Sequence, residues 1–191
     1  MAELLEFQKY IGVMVDLETL STKSNACIVS IGACKFDFRE SVILDMFKVN
    51  IDPVSCKGYG LKIDKDTVNW WSKQSKEAID SWKIDPIDLK TALINFNHWW
   101  DDTEGKKYFW CNGMSFDSPI LSNAYYATQI PKPWTYGREM DLRTTFSLIG
   151  FDLNAARRKS ESTHHDSLQD AVEQTKYLLD FFGVDAFRKS C

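Results

Sequence analysis

Residues 11–18 read IGVMVDLE: an unbroken apolar run from Ile11 to Val15, ending on two carboxylates that flank Leu17. A short run with β-branched residues at Ile11, Val13 and Val15 reads as a buried strand. Residues two apart on a strand face the same side, so Asp16 and Glu18 project together. Side by side at the end of a buried strand, two acids raise each other's pKa unless a cation binds them. The plain alternative is a pair of solvated acids where a strand meets its loop, and this tripeptide alone does not decide between them.

Working outward, a polar loop from Ser21 to Asn25 leads into a second strand, CIVSIGACKFDF at 27–38. A third spans about Val42 to Ile51, which makes an antiparallel meander. DKDTVNWWSKQSKEAIDSW at 64–82 reads as one helix with Val68, Trp71, Ser75, Ala78 and Trp82 on a single stripe. Another helix is expected from Pro86, in its first turn, to about Trp100. The strand KYFWCN at 107–112 passes through Gly113 to a helix starting near Pro119. DLRTTFSLI at 141–149 and the stretch from Ser167 to Phe182 are both helical in pattern. Strands first, then strands alternating with helices, predict an α/β protein with a mixed sheet. No repeat, low-complexity tract or linker divides the 191 residues, so 1–191 is read as one domain with its core at about 11–182.

The composition is that of an ordinary globular protein, with 44% apolar and 26% charged residues. No apolar run is long enough to span a bilayer, and MAELLEFQKY lacks the pattern of a secretion signal. A cytoplasmic protein with no membrane association is expected. The five cysteines contain no CxxC pair, which argues against a disulfide framework or a zinc knuckle. Cys27 and Cys34 lie in apolar strand sequence and are expected to be buried. A net charge of −4 disfavours a broad basic face for nucleic acid but is compatible with an enzyme that handles only a strand end.

Two further acidic features stand apart from the first. In Asn112-Gly113-Met114-Ser115-Phe116-Asp117-Ser118-Pro119, a strand turns at a glycine and Asp117 arrives just before a helix. Taken alone, Asp117 or Ser118 reads more simply as a helix cap. In His164-His165-Asp166-Ser167-Leu168-Gln169-Asp170, Asp166 and Gln169 have the spacing of a capping box that starts a helix. Asp170 then lies where the helix dipole favours an anion. His165, just outside the helix, is free to reach the same place despite being five residues away.

Taken together, Asp-x-Glu on the first strand, Asp at a middle helix and His-x4-Asp at the last helix resemble the motifs of the DEDDh 3′→5′ exonucleases. Trp70-Trp71-x-x-Gln74, Gly113 to Leu121, Asp141-Leu-Arg143 and His165 to Asp170 further resemble the phage-type exonuclease A. They also resemble the related bacterial Rv2179c-like exoribonuclease domain. The likeness covers about Ile11 to Phe182. Ser167 stands where many relatives carry alanine, and His164 adds a second histidine beside the expected base.

The resemblance implies a ribonuclease H-like fold: a mixed five-stranded sheet, antiparallel in its first three strands, with helices on both faces. It implies two divalent cations, Mg²⁺ or Mn²⁺, held by Asp16, Glu18, Asp117 and Asp170, and His165 as general base. The implied reaction releases nucleoside 5′-monophosphates from the 3′ end of single-stranded DNA or RNA. Leu17 and Thr19 would meet the terminal nucleotide, with Asn112 and Phe116 lining the same pocket. On the helix at 64–82, Trp70 and Gln74 share a face and could meet a base or sugar, whereas Trp71 belongs to the core stripe. Arg158, within Arg157-Arg158-Lys159, is a candidate phosphate guide, although such charge runs are commonly just solvated. Arg143 is read as a partner for a helix neighbour, Asp141 as a supporting acid and His98 as a packing residue. Relatives are often dimers, so a homodimer is a further expectation. The competing readings are an oligoribonuclease-like phosphodiesterase acting on short strands and a non-catalytic nucleic-acid-binding module.

Overall fold

Strand β1 (Ile11–Thr19) lies at the centre of the sheet and is buried along nearly all its length, which is why its sequence is almost continuously apolar. In a computed structural model, which describes residues 5–153, 155–156 and 165–183, β2 (Ile28–Asp37) pairs antiparallel with β1. β3 (Val42–Asn50) pairs antiparallel with β2. On the other side, β4 (Lys107–Cys111) runs parallel to β1, and β5 (Glu139–Asp141) parallel to β4. The order is β3-β2-β1-β4-β5. This is the five-stranded mixed sheet that the family resemblance implies.

The helices are α1 (Pro53–Gly58), α2 (Lys65–Trp71), α3 (Lys76–Ser81), α4 (Leu89–Asp101), α5 (Asp117–Thr128), α6 (Leu142–Leu148) and α7 (Ser167–Phe182). They divide between the two faces as the strand alternation dictates. Val13, Val15 and Leu17 pack in one core with Trp71, Ala78, Phe96 and Leu121 of α2 to α5. Met14, Cys34 and Trp110 pack in the other with Leu142, Phe146, Ala171 and Leu178 of α6 and α7. Cys27, Cys34, Cys56 and Cys111 are buried and unbridged. Among the described residues no helix is long and apolar enough to cross a membrane.

The helix expected over 64–82 is two helices. Ser75 ends the continuity: its hydroxyl accepts the Ala78 amide at 3.1 Å and caps α3, while the Gln74 side chain turns back to the Trp70 carbonyl at 3.0 Å. Trp71 and Ala78 are buried as predicted, but Val68 and Ser75 are exposed. α4 begins at Leu89, after Pro86, because the Asp88 carboxylate accepts the amides of Lys90 and Thr91. His98 on α4 is exposed and does not pack in the core.

One glycine fixes how α7 meets the sheet. Gly32 pairs with Asp16 in the β1–β2 ladder. A Cβ at Gly32 would overlap the Ser167 carbonyl and the Leu168 amide, so the first turn of α7 lies directly on bare backbone. The Ser30 and Ser167 hydroxyls, 2.7 Å apart and buried, fasten the same contact. Gly32→Ala should therefore push α7 off the sheet and destabilise the protein by about 1–3 kcal/mol, the usual range for overpacking. A urea unfolding midpoint equal to wild type would show that the helix does not press on this residue.

Candidate active site

Asp16 and Glu18 leave β1 on the face that α7 covers, and a register shift between Glu18 and Thr19 ends the β1–β2 ladder just beyond them. Glu18 is buried and Asp16 half-buried. Asp117 arrives from the opposite side of β1. A turn closed by the Phe116 amide on the Gly113 carbonyl (2.9 Å) delivers it as the first residue of α5. It is buried, and the position before it, Phe116, makes no side-chain cap. Nor does Ser118 cap the helix: its hydroxyl bonds Glu139 at 3.1 Å.

The third contribution comes from the start of α7. Asp166 is the N-cap, accepting the amides of Leu168 and Gln169 at 3.1 Å each, and Lys48 of β3 donates to its other oxygen at 2.6 Å. Asp170 lies in the first turn and is buried. His165 has φ 71°, a left-handed conformation uncommon outside glycine. That turn folds the chain back so that the His165 amide donates to the Asp170 carboxylate at 3.2 Å. It also sets the imidazole edge-on to Trp70, with ring centroids 4.8 Å apart, and 6.0 Å from Trp71. Ligand atoms of Glu18, His165 and Asp170 all lie within 4.8 Å of one another.

Burial and like charge dominate the electrostatics here. Desolvation, then the charges of Asp117, Asp170 and Glu18, hold the Asp16 carboxyl well above the ordinary range, opposed by a hydrogen bond from Gln174. Burial pushes Asp117 up to about 7, opposed by the backbone amides of Leu17, Asp117 and Gly113 and by the Arg143 cation. Four carboxylates and an imidazole around one cleft make a hard, oxygen-rich donor set. Buried, clustered carboxylates held back from ionising are stabilised by a divalent cation, so the residues fit one.

The cleft has a volume of about 690 Å³. Besides the five residues above, Leu17, Thr19, Asn112, Phe116 and Trp70 line it, as expected. The Thr19 hydroxyl is already engaged with the Ser21 carbonyl at 2.7 Å. Asn112 Oδ1 is shielded from solvent and has no hydrogen-bond partner among the described residues. Trp71, assigned to the core, also reaches the cleft wall and donates its indole N–H to the Thr19 carbonyl at 2.9 Å. Gln74 does not line the cleft, because its amide is turned back onto α2. Arg158 lies outside the described residues, as do Arg157, Lys159 and His164.

Arg143 and Gln174 carry more than the sequence reading gave them. Arg143 lines the cleft beside Gly113 instead of merely serving its own helix. Asp141, its neighbour, accepts the Met114 and Thr144 amides at 2.6 Å each and so braces the turn that carries Asp117. Gln174 is an amide in an otherwise mostly apolar or small-residue stripe of α7, four residues beyond Asp170. That was the signal available in the sequence.

The family model described as the 3′-5′ exoribonuclease Rv2179c-like domain matches residues 12–182. An exodeoxyribonuclease of Enterobacteria phage T4 is 30% identical over 120 residues, covering 56% of this chain and 52% of that protein. The chain thus spans about half the length of the curated relative it matches. The nuclease domain of 3′hExo, a DEDDh family member bound to rAMP, has a similar structure: TM-score 0.66, 11% identity, 90% of this chain and 92% of that one. E. coli exonuclease I in complex with a dA16 oligonucleotide gives a TM-score of 0.67 at 14% identity, over 93% of this chain and 42% of that one. Both share the fold.

The raised pKa values carry a sign. A carboxyl whose folded pKa exceeds its unfolded value keeps its proton longer in the folded state. Between about pH 4 and pH 7 the folded protein therefore binds more protons, and Asp117 contributes a loss of stability as pH rises. Stripped of divalent cations with EDTA, Asp117→Asn should melt above wild type at pH 8, with the gap closing toward pH 4. A variant that melts below wild type at pH 8 would show that the buried charge is not under strain.

Proposed function

The chain belongs to the Rv2179c-like 3′-5′ exoribonuclease domain family, and on that premise we propose that it is a 3′→5′ exonuclease of the DEDDh type, dependent on divalent cations. Its substrate would be the 3′ end of single-stranded DNA or RNA, and its product a nucleoside 5′-monophosphate. The observation that supports this reading best is the convergence of Asp16, Glu18, Asp117, His165 and Asp170 on one cleft from three separated segments.

Asp16, Glu18, Asp117 and Asp170 would hold two ions, Mg²⁺ or Mn²⁺. When bound, these supply electrostatic stabilisation of the charge developing around phosphorus and ease ionisation of water. His165 accepts the proton of the attacking water as general base. The hydrogen bond from its backbone N–H to Asp170 and the near-perpendicular indoles of Trp70 and Trp71 hold His165 at the cleft wall. Leu17, Thr19 and Phe116 form the wall for the terminal nucleotide. Asn112 lines the same pocket beside Asp117. Trp70, 42% exposed at the rim, offers a ring to the next base.

The test is a time course on matched 5′-labelled single-stranded DNA and RNA with Mg²⁺, Mn²⁺ or EDTA. A metal-dependent ladder shortening from the 3′ end is expected, and the faster ladder names the preferred sugar. This choice is open because the phage relative is named for DNA and the family model for RNA. Asp16→Ala should abolish the ladder in a folded protein; undiminished shortening would remove Asp16 from the site. His165→Ala should slow it by about 10²–10⁴-fold, the usual effect of losing a general base. If folded wild type shortens neither strand with either metal, a nucleic-acid-binding module becomes the better reading.

A further inference from the structure

Gln174 occupies a place in α7 where packing alone asks for a hydrocarbon. It is fully buried, on the stripe that presents Ala171 and Leu178 to the sheet. Its Nε2 donates to Asp16 Oδ1 at 2.8 Å, while its Oε1 has no hydrogen-bond partner among the described residues. A buried amide with one end unsatisfied costs stability that a methionine or leucine would not. Turning the amide over would set Oε1 against the carboxylate and give up the bond to Asp16. The orphaned oxygen is therefore the consequence of an orientation that Asp16 demands.

The chemistry of the donor is specific to its place. A lysine or arginine there would neutralise Asp16 and compete with a cation. A glutamate would add to a cluster already crowded with negative charge. An amide donates a hydrogen bond without charge and without titrating. It immobilises one oxygen of Asp16 and leaves the other to the cleft.

We propose that Gln174 is a positioning residue, which holds the Asp16 carboxylate in the orientation that binds a divalent cation. This rests on the reading of Asp16 as a cation ligand. Removing an outer partner of a metal ligand commonly lowers metal affinity by about 10–100-fold. That loss is expected here without a loss of folding.

The experiment is a calorimetric titration of Mn²⁺ into wild type, Gln174→Met and Gln174→Leu without nucleic acid, alongside thermal melts of each protein in EDTA. Methionine keeps the length of the side chain and leucine its apolar bulk, and neither donates a hydrogen bond. Both variants should still melt cooperatively in EDTA and bind Mn²⁺ about 10–100-fold more weakly. Wild-type affinity in either folded variant would overturn the proposal. A wild-type protein that binds no Mn²⁺ would instead overturn the proposed function itself, so the two failures are distinguishable.

Discussion

Carboxylates repel, and this fold brings four of them to one cleft. Everything around that cleft is arranged to resist the repulsion. β1 is the central strand, paired with β4 as far as Met14 and with β2 through Asp16 and Glu18, with a core on each face, so the two acids ride on restrained backbone. Asp117 is restrained by the turn that starts α5, which Asp141 braces through the Met114 amide. Asp170 is restrained by α7, whose first turn is seated on Gly32 and tied to Ser30. None of these supports removes the charge. They prevent the site from relaxing by moving apart.

The start of α7 shows how one short segment can serve several demands. Asp166 satisfies the first amides of the helix, and Lys48 links that cap to β3. One residue earlier the chain turns left-handed at His165, which lets an imidazole five residues from Asp170 share its cleft. A straight helical continuation would have set the two on different faces. Backbone strain in this position is consistent with a functional constraint on the segment, since the surrounding contacts with Trp70, Trp71 and Asp170 over-determine it.

Much of this was legible in the sequence because it depended on local pattern. The apolar run before Asp16, the alternation that pairs Asp16 with Glu18 and the Asp166 cap are decided by neighbours along the chain. The parts that were not legible depend on contacts made across space. The break between α2 and α3 follows from Ser75 and Gln74 preferring local hydrogen bonds, within a stretch whose periodicity reads as one helix. β5 is only three residues, Glu139-Met140-Asp141, which become a strand because β4 offers an edge. Gln74 shares a helical face with Trp70 in projection, yet its amide bonds back to that residue's carbonyl. Gln174 shows its meaning only when Asp16, 158 positions away, is placed against it.

Gly32 and Asp16 sit opposite each other across two strands, one having no side chain and the other a charged one. The absence of a side chain on β2 is what lets α7 approach near enough for Gln174 and Asp170 to meet the acid on β1. The two positions thus act as a single structural unit. A designer who grafted the acids onto another sheet would have to carry the glycine with them, or the transplanted helix would stand off and the carboxylates would never meet.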